Sequence, residues 1–142
     1  MSKIKSFKDL IVWQVASELA KDIATRLVRM LPRTEKYRLG DQIIRSSRSV
    51  ASQISEGFRK SSLREKNRFY GIAATSNDET ENHLIEARNN AYINDKIFKH
   101  YLNRIIRVRV LLSRLMKSIR SLQNTARSAL PRRKAAKTLH RR

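Results

Sequence analysis

Between Phe7 and Met30 the residues Leu10, Trp13, Ala16, Ala20, Ile23, Leu27 and Met30 recur at steps of three and four. A period of 3.6 residues brings such positions onto one face, so the spacing predicts a helix over 8–31 with a single apolar stripe. Asp9 stands near its start, where the helix dipole favours an acid. Pro32 closes it, because proline disfavours the helical conformation of the residue before it.

Residues 45–62, RSSRSVASQISEGFRKSS, carry seven serines and four arginines or lysines and look at first like a charged low-complexity tract. On a helix with a 100° step, however, Leu39, Ile43, Ser47, Val50, Ile54, Gly57 and Phe58 share one face. Arg45, Arg48, Ser49, Ser52 and Glu56 fall on the other. A disordered tract has no reason to sort itself this way, and the pattern predicts a helix over 37–59. Serine is a middling helix former, so packing must hold this helix. The small residues suit a tight helix–helix contact; as a second reading, they form a surface with arginines for phosphate.

Two more helices follow. Ser62 and Glu65 make a capping-box pattern ahead of a helix over 63–91. Its inner face reads Phe69, Ile72, Ala73, Ser76, Thr80, Leu84, Ala87 and Ala91, and Ser76, Thr80 and His83 make it unusually polar. Asn94 or Asp95 caps a helix over 95–124. Its core stripe is Ile97, Phe98, Tyr101, Ile105, Val108, Leu112, Leu115, Met116, Ile119 and Leu122. The expected fold is all-α: an antiparallel up-down-up-down four-helix bundle over 1–124 with a flexible basic C-terminal tail over 125–142.

Charge adds a direction. The 142 residues carry a formal net charge of +20, well beyond what solubility requires, which points to a polyanionic partner. Residues 1–95 hold 17 Lys and Arg against 12 Asp and Glu, whereas residues 96–142 hold 15 Lys and Arg and no acid. The absence of cysteine excludes disulfides and thiolate metal sites. Nucleic acid ranks first as the polyanionic partner and an anionic membrane surface second; no apolar run is long enough to span a bilayer, and no membrane partner is expected. The N-terminus has no signal-peptide pattern, so a cytoplasmic protein is expected.

The segments FKDLIVWQVASELAKDI, LGDQIIRSSRSVASQISEGF and RFYGIAATSNDETENHLIEA together resemble the four-helix-bundle family of proteins encoded in 23S rRNA intervening sequences. The likeness runs over about residues 7–122. It rests on Phe7, Asp9, Leu10, Trp13 and Gln14, then Ile54, Glu56, Gly57 and Phe58, then Phe69, Ile72, Ala73, Ser76, Glu79 and Glu81. The resemblance implies a four-helix bundle assembled as a ring-like homopentamer, without an established enzymatic activity. The superfamily is similar to the accessory variability protein of diversity-generating retroelements, a basic pentameric bundle that binds nucleic acid beside a reverse transcriptase. The chain departs from the family pattern at Ala74, Thr75 and Asn77, and in its more basic C-terminal third. The second departure moves the reading toward the retroelement type.

The fourth helix carries the strongest functional signal. Lys96, Lys99, Arg104, Arg107, Arg114 and Lys117 fall within about 140° of one another, opposite the core stripe. Solvated faces normally mix signs, because like charges one turn apart repel. An acid-free stripe therefore predicts contact with RNA or DNA, extended by Arg132, Arg133 and Lys134 in the tail. Val110 and Leu111 lie off the core stripe and are the expected oligomer interface. Arg45, Arg48, Arg59, Lys60, Arg64 and Arg68 surround the second turn. They could extend the basic surface, pair with Glu56 and Glu65, or meet another subunit.

Glu79 and Glu81 diverge by about 200° on the helix, which does not suit a shared metal. Glu79 is expected in a salt bridge or cap across the oligomer. His83, His100 and His140 offer no ligand spacing, and there is no phosphate loop or catalytic triad order. No enzyme activity, cofactor or metal is expected. The function expected is a non-enzymatic nucleic-acid-binding bundle, accessory to the reverse transcriptase of a diversity-generating retroelement. The alternative is a structural or interaction protein of a 23S rRNA intervening sequence with no obligate nucleic-acid role.

Overall fold

The apolar stripes become four helices in a computed structural model that describes residues 3–130, and these residues contain no strand. A 3-10 turn at Phe7–Asp9 leads into α1, Ile11–Asp22. The helical path continues through a π-helical turn at Ile23–Leu27 and a 3-10 turn at Val28–Met30. Helix α2 spans Leu39–Arg59, α3 Leu63–Asn89 and α4 Asp95–Ala129.

Local chemistry sets the ends. The hydroxyl of Ser6 and the carboxylate of Asp9 cap each other's backbone N–H groups. The Ser62 hydroxyl accepts from the Glu65 N–H at 3.1 Å, and the Asn94 amide oxygen accepts from the Ile97 N–H at 2.8 Å. Leu31, before Pro32, is extended as expected.

Helices α2 and α3 approach most closely. The Ser46 hydroxyl pairs with that of Thr80 at 2.8 Å, and Ser49 pairs with Ser76 at 2.9 Å. Further along, a Cβ placed on Gly57 would lie 2.7 Å from a ring carbon of Tyr70 and 3.1 Å from the Lys66 carbonyl. The partners in α3 descend in number as those in α2 rise. Between α3 and α4 two asparagine amides set the register: Asn77 donates to the Ile105 carbonyl at 3.0 Å and Asn67 to the Met116 carbonyl at 3.0 Å. The core fills the space between, with Ile23, Ile54, Leu84, Ile105, Val108 and Leu112 fully buried.

The structure corrects the expected faces in four places. In the π turn the Val28 N–H reaches the Ile23 carbonyl, five residues back. The extra residue rotates the next turn of the chain, so Leu31 is buried and Met30 is exposed. Helix α3 is turned so that Tyr70 and Asn77 are buried while Ile72 faces solvent, because this helix must serve both α2 and α4. Ala91 lies outside α3 and takes a left-handed backbone, φ 58°, in the turn to α4. Finally, α4 runs to Ala129, past the expected end at 124, so residues 125–129 are helical and not tail. Asn67 lies opposite Met116, so α4 outruns the start of α3 beyond about residue 120 and leaves Leu122 exposed. The rest of the expected tail, 131–142, lies outside the described residues.

Two substitutions test this packing. Gly57→Ala is expected to destabilise the fold by about 1–3 kcal/mol, because the added methyl must displace the Tyr70 ring. Ile54→Asp is expected to abolish the cooperative thermal transition followed by circular dichroism. Ile54 has no exposed surface, and an unpaired buried carboxylate costs several kcal/mol, comparable with the stability of a small domain.

Candidate nucleic-acid interface

Helix α4 presents its charged face because its opposite side is committed to the core through Phe98, Tyr101, Ile105, Val108, Leu112 and Ile119. Lys96, Lys99, Arg107, Arg114 and Lys117 are exposed, and none forms an ion pair among the described residues. The only acid of α4 is Asp95 in its first turn, which holds Arg88 at 2.9 Å. From Lys96 onward the helix is free of acids.

Arg104 differs from the other five. It bonds the carboxylate of Asp22 on α1, and its side chain is only 26% exposed. The Tyr101 hydroxyl donates to the same carboxylate at 3.0 Å. Burial would raise the Asp22 carboxyl, but the hydrogen bonds from Arg104 and Tyr101 and the positive charges of Arg104 and Arg26 outweigh it and hold the group below its ordinary value. Burial, together with the bond to Asp22 and its negative charge, pushes the Tyr101 phenol up to about 12. Arg104 is thus a tie between α1 and α4 and not a free member of the stripe. At 80° on the wheel it lies at the stripe's edge, within reach of the neighbouring helix.

Arg109, absent from the sequence-derived stripe, is likewise occupied. It pairs with Glu81 and, at 3.5 Å, with Asp78, both on α3. Val110 is 41% exposed and lies one turn from exposed Ile106. Leu111 instead packs half-buried against the core, so the two residues expected at an oligomer interface part company. Arg132, Arg133 and Lys134 lie outside the described residues.

Of the six cations around the second turn, Arg59, Lys60 and Arg68 are engaged within the chain, whereas Arg64, like Arg45 and Arg48, is exposed. Arg59 lies 4.0 Å from Glu56 and 5.0 Å from the Phe7 ring centre; Arg68 bonds Glu65 and covers Phe69 at 4.5 Å. Lys60 stands over Phe69 at 4.9 Å. Lys66 donates to the Phe58 carbonyl at 2.6 Å, and burial lowers its pKa. Arg45 and Arg48 are exposed without an acid partner among the described residues. No group of three or more His, Asp or Glu among the described residues could hold a metal, and no described helix is long and apolar enough to cross a membrane.

The family of 23S rRNA-intervening sequence proteins matches residues 8–114. The chain belongs to that family. Among solved structures, this intervening-sequence protein is similar to a protein of unknown function from the S23 ribosomal protein family of Bacteroides thetaiotaomicron VPI-5482. The identity is 24% and the TM-score 0.70, over 75% of this chain and 99% of the other. That likeness concerns the fold. None of the curated proteins compared matches the intervening-sequence protein.

The Asp22 tie makes stability depend on pH at both ends. The folded state holds the Asp22 carboxyl low, so its contribution is complete above the unfolded value near 4 and disappears as pH falls through the folded one. The folded state holds the Tyr101 proton more tightly than the unfolded chain does. Its contribution is therefore complete below pH ~10 and declines as pH rises toward 12. Denaturant titrations across pH are expected to show both slopes, with Asp22→Asn flattening the acidic one and Tyr101→Phe the alkaline one. Arg104→Gln is expected to cost about 1–3 kcal/mol by leaving a half-buried carboxylate without its main partner.

Proposed function

We propose that this chain is a non-enzymatic nucleic-acid-binding protein: an antiparallel four-helix bundle, assembled as a homopentamer, that accompanies the reverse transcriptase of a diversity-generating retroelement. The observation that carries the binding is the outer face of α4. Five exposed cations stand there without an acid partner among the described residues, along a helix that carries no acid beyond Asp95 in its first turn. Like charges repeated along one helix repel each other, and a polyanion relieves that repulsion. The ligand is bound through phosphates, since no described element resembles a base-reading device. The homopentamer rests on the family resemblance; Val110 and Ile106 are exposed beside the cations. In a ring, the basic face would repeat in every subunit and strengthen binding by avidity.

A second reading comes from the family match itself: a structural or interaction protein of a 23S rRNA intervening sequence, with no obligate nucleic-acid role. It predicts a cationic face indifferent to RNA and DNA.

Replacing Lys99, Arg107, Arg114 and Lys117 with Gln separates the two. These four side chains are exposed, so the melt is expected to stay near that of the parent chain. If each touches a phosphate, the slope of log K against log salt falls by about 3, at roughly 0.7–0.9 per contact. Unchanged affinity and slope for structured RNA and duplex DNA in mobility-shift titrations would leave only the structural reading. Light scattering is expected to give the mass of five chains, and a single-chain mass at micromolar concentration removes the pentamer.

A further inference from the structure

A polar groove of about 510 Å³ lies between α2 and α3, lined by Gln42, Arg45, Ser46, Ser49, Ser76, Glu79 and His83. No residue of α4 lines it, so it is separate from the basic face. Its floor is the pair of hydroxyl contacts that joins the two helices. Two hydroxyl protons are available to Ser49 and Ser76, and their mutual contact uses one. The other is free for a ligand, because neither hydroxyl donates elsewhere among the described residues. The Nδ1 of His83 is buried without a hydrogen-bond partner among the described residues. Arg45 and Glu79 line the same groove and yet form no ion pair with each other or with any other described residue.

The combination selects its ligand. A simple anion that satisfied Arg45 would meet the Glu79 carboxylate. A simple cation that satisfied Glu79 would meet Arg45. A molecule with an anion at one end and several hydroxyls at the other satisfies both, and the hydroxyls also match His83, Ser49, Ser76 and the Gln42 amide. Arg48, one turn on, lines the α1 side of α2 instead, so Arg45 alone supplies the groove's positive charge, and its planar guanidinium offers a phosphate two parallel hydrogen bonds. The volume falls within the usual range for small-molecule sites. We propose that the α2–α3 groove binds a phosphorylated polyol of the ribose phosphate type, with the phosphate on Arg45 and the sugar hydroxyls on Glu79 and His83.

Isothermal titration of the full chain with ribose 5-phosphate, inorganic phosphate and glutamine tests the assignment. Ribose 5-phosphate is expected to bind most tightly. Glu79→Gln is expected to weaken it about tenfold, the loss of one hydrogen bond to a charged group, and to leave phosphate unaffected or stronger. Arg45→Gln is expected to weaken both. His83→Ala is expected to weaken the sugar phosphate alone; should it fail to fold, exposed Glu79 carries the test. A 5′-phosphorylated oligoribonucleotide beside its deoxy counterpart identifies the source. Ribose-dependent oligonucleotide binding sensitive to Glu79→Gln indicates an RNA end, and binding confined to ribose 5-phosphate indicates a free metabolite. Phosphate binding as tightly as ribose 5-phosphate, glutamine binding more tightly, or indifference of ribose 5-phosphate to Glu79→Gln overturns the proposal. The α4 variant alters none of these residues, so failure here leaves the polyanion reading standing.

Discussion

The close contact between α2 and α3 is the constraint on which the rest of the structure depends. Helices separated by leucine-sized side chains sit about 8–10 Å apart or more. Here Ser46, Ser49, Gly57, Ala73, Ser76 and Thr80 reduce the interface to hydroxyls, methyls and a bare Cα. Burying hydroxyls is costly unless they are paired, and here they pair with one another across the interface. The pairs make the contact specific, since hydroxyls displaced along the helix would lose their partners. The same small residues leave a polar channel at the surface.

With α2 and α3 fixed together, α4 is held by a different chemistry. Apolar burial supplies the attraction, while ties to Asp22, Asp78 and Glu81 lock two of its arginines onto the neighbouring helices. Partly buried pairs of this kind resist breakage more than they add net stability. They divide the cations of α4 by role. Arg104 and Arg109, at its flanks, are consumed by acids of α1 and α3. Those at its crest find no acid in reach, and the surface charge concentrates there.

Much of the fold was legible because helical periodicity is a local property. Ser47, Val50, Ile54 and Gly57 announced the buried face of α2 despite its serine-rich composition, and the polarity of Ser76, Thr80 and His83 was visible as an anomaly. Nothing local announced the π turn after Asp22, so the burial of Leu31 in place of Met30 could not be read. The tie of Arg104 to Asp22 could not be read for a related reason. The two lie 82 positions apart, and a helical wheel of α4 contains no information about α1. Two signals stood in the sequence: Arg104 lies beside Tyr101 at the edge of the stripe, and Asp22 adjoins core residue Ile23. The groove needed both helices in register, because Arg45 and Ser49 meet Glu79 and Ser76 only after folding.

The amides of Asn67 and Asn77 act as two dowels between α3 and α4. They sit ten positions apart on one helix and seat at carbonyls eleven apart on the other, a span of roughly 15 Å at 1.5 Å per residue. A slide of α4 along α3 by one turn would unseat both at once and strand the buried amide of Asn77 against hydrocarbon. Axial shear, the small sliding of packed helices, therefore costs this pair both contacts together. A load on the exposed crest of α4 is thus passed to α3 through two points seated about three turns apart.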